Sequence, residues 1–269
     1  MPFANLPHMK MYYEIIGNLN SKFTLLMIHG WTESHKYWVE QSEFFAKWFK
    51  IVSIDLKGHG KSSKNRSGYS IRKLSRDVYE LKRLLNLDNI ILVGHSLGGM
   101  VVLDYYFRRN FGEIKGLILF NTTSTPFKMI PRNVSELQGL GKFGVRKMLM
   151  GIYDISPDIV LNLSERKKQN VDELIEEANA MLPFVTVRLG IGSSTFNVNR
   201  KLRVIRAPTL LITGELDMVT PIRIMKSMHE KIPNSEFHII KNSGHMVAIE
   251  KCEEVNEIIF QFLKKHDFV

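Results

Sequence analysis

One serine set between glycines directly after an apolar run constrains this chain more than any other feature. The run Asn89-Ile90-Ile91-Leu92-Val93 is aliphatic and β-branched, which predicts a strand buried on both faces, as in a parallel sheet. Residues 100–109 hold no helix breaker and predict a helix. Between them runs Val93-Gly94-His95-Ser96-Leu97-Gly98-Gly99, so Ser96 falls on a sharp strand-to-helix turn. Such an elbow crowds the backbone, and glycine at the flanking positions removes the side chains that would clash. It presents the hydroxyl to solvent, and the helix N-terminus behind it offers free N–H groups to an anion. This is where a chain holds a nucleophile. An idle serine on a Gly-rich loop has the same local pattern, so a base and an acid to orient it must also be present.

Both follow in the chain. Pro208-Thr209-Leu210-Leu211-Ile212-Thr213-Gly214-Glu215-Leu216-Asp217 reads as a second buried strand running into a polar turn. Asp217 lies just past the strand's carboxyl end, where parallel sheets carry their chemistry, with Glu215 as the rival carboxylate. Thr220 and Pro221 are expected as N-cap and first residue of the next helix. Residues 236–240 read as the last strand, and Asn242-Ser243-Gly244-His245 as the loop after it. His245 precedes an amphipathic helix with Val255, Ile258, Ile259 and Phe262 on one face. Among nine histidines, His59, His95 and His238 are the competing loop and strand residues, and His95 is too constrained on the elbow to swing as a base. His245 alone has the strand–loop–helix setting of a base that reaches back to Ser96.

Attack on a carbonyl creates an oxyanion, and holding it is usually the largest catalytic term. The backbone N–H of Leu97 is one expected donor. The other is the backbone N–H of Trp31, in His29-Gly30-Trp31 at the end of a strand over residues 23–28. The Trp31 side chain is read as a packed aromatic rim.

These segments resemble the α/β-hydrolase superfamily, in the serine-nucleophile branch that holds small carboxylesterases and C–C bond hydrolases. His29-Gly30-Trp31 resembles its oxyanion loop, and Asp55-Leu56-Lys57-Gly58-His59-Gly60-Lys61-Ser62 its D-x-x-G-x-G-x-S turn. The segment 94–99 is similar to its elbow, 214–217 to its acid turn and Ser243-Gly244-His245 to its histidine loop. The resemblance implies an α/β fold with a mostly parallel sheet flanked by helices. It makes Asp55 and Ser62 loop-building residues, and Lys61, a departure from the pattern, a solvated surface charge. Serine rather than aspartate at 96 sets aside dehalogenases and epoxide hydrolases and favours acyl transfer. The implied activity is a carboxylesterase for small to medium acyl esters, acting through Ser96, Asp217 and His245 with Leu97 and Trp31 as oxyanion donors and no cofactor. C–C hydrolase, lactonase and perhydrolase chemistry stay open, as does a ligand-binding receptor on the same fold.

At 269 residues the chain accommodates one core plus an insertion. Strand and helix signals alternate from Phe23 to Phe120 and again from Thr209 onward, which gives a core over 1–123 and 207–269 with an antiparallel edge hairpin over 3–17. The alternation fails over 124–206, which reads as an inserted helical cap. Ser156-Pro157 and Asn170 with Glu173 are capping signals there, and Val171, Leu174, Ile175, Ala178 and Leu182 recur at helical spacing, with Pro183 expected to break or kink the helix. Phe127, Met129, Phe143, Met148, Met150, Met181 and Phe184 either line an acyl pocket or pack the cap onto the core. The net charge of +10 comes from 37 Lys and Arg against 27 Asp and Glu, scattered enough to read as solvated surface rather than a nucleic-acid footprint. A single cysteine, Cys252, excludes an internal disulfide and suits the cytoplasm. No run has transmembrane length, no cluster has metal-ligand spacing, and monomer versus homodimer stays open.

Overall fold

The structure, a computed structural model, describes residues 2–109, 112–126 and 165–269, with the backbone alone for 165–167. The first strands form the expected edge hairpin, β1 (Phe3–Leu6) against β2 (Met9–Gly17). There follow β3 (Thr24–Ile28), a 3-10 turn (His35–Trp38), α1 (Val39–Phe45), β4 (Lys50–Ile54), α2 (Ile71–Leu84), β5 (Ile90–His95), α3 (Leu97–Arg109) and β6 (Ile114–Phe120). After α4 (Glu165–Asn179) and α5 (Pro183–Ser194) the chain returns through β7 (Thr209–Gly214), α6 (Ile222–His229), β8 (Ser235–Ile240), the short α7 (Val247–Glu250) and α8 (Cys252–Lys265). The strands make one eight-stranded sheet in the order β1-β2-β4-β3-β5-β6-β7-β8. β2 joins β4 antiparallel, and every pairing from β4 through β8 is parallel. The chain thus has the α/β-hydrolase architecture.

Burial on both faces explains the strand composition. Ile90 and Leu92 of β5 enter the apolar layer shared with α2 and α3, while Ile91 and Val93 enter the opposite layer with α1 and α8. Successive side chains point to opposite faces, so a strand covered on both needs an unbroken apolar run. The parallel register brings the carboxyl ends of β3, β5, β6, β7 and β8 to one edge. His29 to Trp31, Ser96, Asn121, Asp217 and His245 all leave the sheet there.

Between β6 and β7, Val171, Leu174 and Ala178 of α4 are buried, and Lys36 on the 3-10 turn pairs with Glu173 at 2.7 Å and Glu177 at 3.2 Å. Val185 and Leu189 of α5 pack into the layer with α2 and α3. The first helix ends at Asn179, before Pro183, which neither breaks nor kinks it but opens α5, and Leu182, expected on the helix face, is the exposed N-cap of α5. Asn170 is no cap: α4 already runs from Glu165. The capping signal Ser156-Pro157 and residues Phe127, Met129, Phe143, Met148 and Met150 lie outside the described residues. Cys252 is buried at the start of α8. No helix among the described residues is long and apolar enough to cross a membrane.

Candidate active site

Ser96 occupies the single residue between β5 and α3, half-buried, with φ at +49°. A non-glycine residue in that region costs about 1–2 kcal/mol, and the neighbours enforce it. The Ser96 N–H donates to Phe120 O at 2.9 Å, and the Thr122 hydroxyl donates to Ser96 O at 2.6 Å. The flanking glycines are required by close approach. A Cβ on Gly94 would stand 2.7 Å from Gly98 O, and one on Gly98 would strike the carbonyls of Ile28 and His29. The N–H groups of the first α3 turn, Leu97 among them, have no intrahelical acceptor.

Asp217 is buried and collects hydrogen bonds on both oxygens. Oδ1 accepts the N–H groups of Val219 (2.8 Å) and Thr220 (2.9 Å). Oδ2 accepts the Thr220 hydroxyl (2.6 Å), the Asn121 side-chain amide and His245 Nδ1 (2.9 Å). Burial pushes this carboxyl up, but the facing His245 and the bonds from His245, Asn121 and Thr220 outweigh it and hold it well below the ordinary carboxylate range. An ionised carboxylate only accepts, so Nδ1 of His245 carries a proton and Nε2 of the neutral ring keeps its lone pair. Thr220 therefore serves the site rather than capping a helix. Pro221 takes the N-cap of α6, so the helix starts at Ile222, one position later than expected. Glu215, the rival carboxylate, is exposed and accepts the Asn242 N–H at 3.1 Å.

The other histidines have different settings. His238 is half-buried in β8. Burial, with His29 beside it, pushes the His59 imidazole down to about 3. Both ring nitrogens of His95 are occupied, Nδ1 by Glu33 and Nε2 by His245 O. The structure records no hydrogen bond between the Ser96 hydroxyl and His245. Their loops are joined through His95.

On the oxyanion loop, the Leu56 N–H donates to His29 Nε2 at 2.9 Å, so the His29 proton sits on Nδ1 and is donated to Gly30 O at 2.7 Å. Burial pushes the His29 imidazole down, in keeping with this neutral tautomer. In a trans peptide the N–H opposes the C=O, so the bond at Gly30 O fixes the direction of the Trp31 N–H. Trp31, Ser96 and Leu97 line one cavity of about 10 Å³ with Met100, Thr122, Thr123 and Thr220, which is room for about one water. Neither Met181 nor Phe184 lines it. Asp55 and Ser62 build their loop as expected: Asp55 accepts the N–H groups of His35 (2.8 Å) and Lys61 (2.8 Å), and the Ser62 hydroxyl donates to Asp55 O. Lys61 is exposed, with its ammonium 3.1 Å from the Tyr12 hydroxyl.

Sequence reasoning missed four residues of this neighbourhood. Asn121 directly follows the apolar run of β6, a polar residue at φ +41° on the same sheet edge as Ser96. Thr220 was legible only as a cap. Glu250 accepts the N–H groups of Gly244 (2.7 Å) and Met246 (3.0 Å), the two residues flanking His245. Glu33 bonds Gly30 and His95. Neither glutamate stands in a pattern that marks its partner.

A profile described as alpha/beta hydrolase fold matches residues 24–144, and one described as TAP-like protein matches residues 192–267. The AB hydrolase superfamily protein YisY of Bacillus subtilis is 28% identical over 95% of this chain and 96% of its own length. A proline iminopeptidase of Thermoplasma volcanium is 24% identical, covering 98% of this chain and 96% of its own. Among solved structures, an esterase from Exiguobacterium antarcticum superposes with a TM-score of 0.81 at 24% identity, over 97% of this chain and 98% of its own. The profile matches span the elbow, the acid turn and the histidine loop, the likenesses run nearly end to end, and the chain belongs to the α/β-hydrolase superfamily.

Proposed function

We propose that this protein is a serine hydrolase of the carboxylesterase type, cleaving small to medium acyl esters. The observation that carries the reading is the ionised Asp217 bonded to Nδ1 of His245, which leaves Nε2 as a base on the loop tied to the Ser96 elbow. In this reading Nε2 takes the Ser96 proton as the hydroxyl oxygen attacks the ester carbonyl carbon. The N–H groups of Leu97 and Trp31 receive the oxyanion. Collapse expels the alcohol with the proton from Nε2 and leaves an acyl group on Ser96. A water then gives its proton to Nε2, attacks the acyl carbon, and the acid departs as the proton returns to Ser96. No step calls on a cofactor.

We assign residues 1–123 and 207–269 to the catalytic core and 124–206 to a cap, of which α4 and α5 are part. The pairing of Lys36 with Glu173 and Glu177, which ties α4 to the 3-10 turn after the oxyanion loop, supports that assignment. A buried single cysteine favours a cytoplasmic protein. Amide cleavage by the same groups is the second reading, favoured by the proline iminopeptidase likeness across 98% of the chain.

The test is turnover of p-nitrophenyl esters of increasing chain length, a lactone and a prolyl p-nitroanilide, with and without a fluorophosphonate. Ester turnover abolished by labelling at Ser96 is expected, and Ser96→Ala should cut it on the order of 10⁴-fold. Preferred cleavage of the anilide would move the assignment to the peptidase reading. Near-wild-type turnover by the Ser96→Ala variant would refute both.

A further inference from the structure

Glu33 lies on the loop after β3, 1% exposed, and His95 on the elbow is fully buried. Glu33 Oε2 accepts the Gly30 N–H at 2.6 Å and stands 3.0 Å from His95 Nδ1, with Oε1 at 2.8 Å from the same nitrogen. On its far side, His95 Nε2 is 2.9 Å from His245 O. A carbonyl only accepts, so Nε2 carries a proton and donates it. Glu33 and His95 Nδ1 approach within 2.8–3.0 Å, so the bond between them is carried by a shared proton. The ring stacks on Tyr37 at 4.4 Å and 15° and lies 4.7 Å from the His245 ring, tilted by 52°. Even the backbone makes room for the contact: a Cβ on Gly30 would stand 2.8 Å from both Glu33 Oε1 and His95 Nδ1.

One circuit, Gly30 N–H to Glu33 to His95 to His245 O, thus joins the loop after β3, the end of β5 and the loop after β8. Its links span 62 and 150 residues of chain. Burying a carboxylate against an imidazole is costly, and apolar side chains of similar volume usually hold a loop as well or better. What apolar side chains cannot do is aim a donor at the His245 carbonyl while aiming an acceptor at the Gly30 N–H. Those two backbone groups belong to the base and to the oxyanion loop.

We propose that Glu33 is a positioning residue of the hydrolytic site, holding the His245 backbone through His95 and the oxyanion loop through the Gly30 N–H, in register with Ser96. The assignment rests on the serine-hydrolase reading above. Asp217 fixes the His245 ring, whereas the Glu33 circuit fixes the backbone from which that ring projects. Its loss therefore displaces the base from Ser96 without touching substrate.

The experiment compares Glu33→Ala, Glu33→Gln and Glu33→Asp with the wild type in kcat and KM for one p-nitrophenyl ester, in fluorophosphonate labelling rate and in Tm. Glutamine preserves the circuit, because its oxygen accepts from Gly30 and its NH₂ donates to an unprotonated His95 Nδ1. Alanine is expected to lower kcat and labelling rate together, by roughly 100-fold for a displacement of about 1 Å, with KM within about twofold. Glutamine should restore both to within several-fold of wild type, a recovery that general loosening of the fold does not produce. Should the alanine variant fail to fold, aspartate, one methylene too short to span Gly30 and His95, should show the same kcat loss at unchanged KM. An alanine or aspartate variant labelled as fast as wild type overturns the positioning role alone, as does a glutamine variant no better than alanine. A folded wild type that fluorophosphonate does not label at Ser96 overturns the serine-hydrolase reading and this role with it.

Discussion

Replacing Asp217 by asparagine separates the chemistry of the site from its stability. Five hydrogen bonds converge on this carboxylate, from Val219, Thr220 twice, Asn121 and His245. With the new carbonyl oxygen kept on the Val219 and Thr220 N–H groups, an NH₂ meets the three donors that now serve Oδ2. Two of them can adapt. The Asn121 amide can rotate to present Oδ1, which is buried and unpartnered, and the Thr220 hydroxyl can turn its lone pair. His245 adapts only by moving its proton from Nδ1 to Nε2, the nitrogen that must be bare to take the Ser96 proton. The stability cost is that of an imperfectly satisfied buried network, about 1–3 kcal/mol. The activity cost is that of the wrong tautomer, on the order of 10⁴-fold in kcat, about 5 kcal/mol at about 1.4 kcal/mol per decade. The assay is kcat for a p-nitrophenyl ester beside denaturant unfolding, with ¹⁵N NMR reading the His245 tautomer. A second signature follows from linkage. Folding lowers the carboxyl's pKa, so below the ordinary aspartate value near 4 the unfolded chain binds the extra proton and wild-type stability falls with pH. The variant lacks that part of the acid limb. A folded Asp217→Asn variant within tenfold of wild-type kcat, or one whose His245 keeps its proton on Nδ1, would refute this account of the base.

Three further substitutions probe the supports around the site. Ser96→Gly removes the nucleophile together with a strained φ of +49°, and after the added chain entropy of glycine it should raise unfolding free energy by about 1 kcal/mol, read from chemical denaturation. Gly98→Ala drives a methyl group against the Ile28 and His29 carbonyls. It should cost about 1–3 kcal/mol and slow fluorophosphonate labelling, since the collision lies between the elbow and the oxyanion loop. Glu250→Ala strands the N–H groups of Gly244 and Met246; a Tm loss matching about 1–3 kcal/mol and a lower kcat are expected, with glutamine restoring part of both.

What could be read from the sequence was local, and what could not was pairwise across long separations. The elbow, the two strand ends carrying Asp217 and His245, and the N-terminal hairpin each announce themselves within about ten residues, through an apolar run followed by a glycine or polar turn. Cap signals were less secure for the same reason. Thr220-Pro221 scans as an N-cap pair, yet the Thr220 hydroxyl finds a stronger acceptor in Asp217 and the helix starts later. Asn170 looks like a helix start only if the preceding residues are not helical, and they are. Glu33, Asn121 and Glu250 carry no local signature at all. Their partners lie across the sheet edge, and only the parallel register that gathers five strand ends tells one loop what it will meet in another.

That gathering has an electrostatic consequence visible at Tyr37. Burial raises the pKa of this phenol well above its ordinary range, and Glu33, Glu250 and Asp217 raise it further. A residue that takes no part in the proposed chemistry therefore registers all three buried carboxylates at one place. The field that opposes a phenolate at Tyr37 favours a cation nearby, and in the proposed reaction His245 is the group that becomes one as it accepts the Ser96 proton. The same field opposes the oxyanion that forms in that step. Net benefit therefore requires the carboxylates to lie on the His245 side, each engaged by N–H or imidazole donors, and the oxyanion to face free backbone N–H groups on the other side. Asp217 and Glu250 meet that requirement by gripping the histidine loop itself, whereas Glu33, bound to the Gly30 N–H of the oxyanion loop, is engaged by His95. The proposed reaction leaves the N–H groups of Leu97 and Trp31 to the substrate, the first by its place at a helix start and the second by the His29 bond that turns its peptide. The charge separation that the proposed reaction needs between Ser96 and His245 thus has its supports in the loops before substrate arrives.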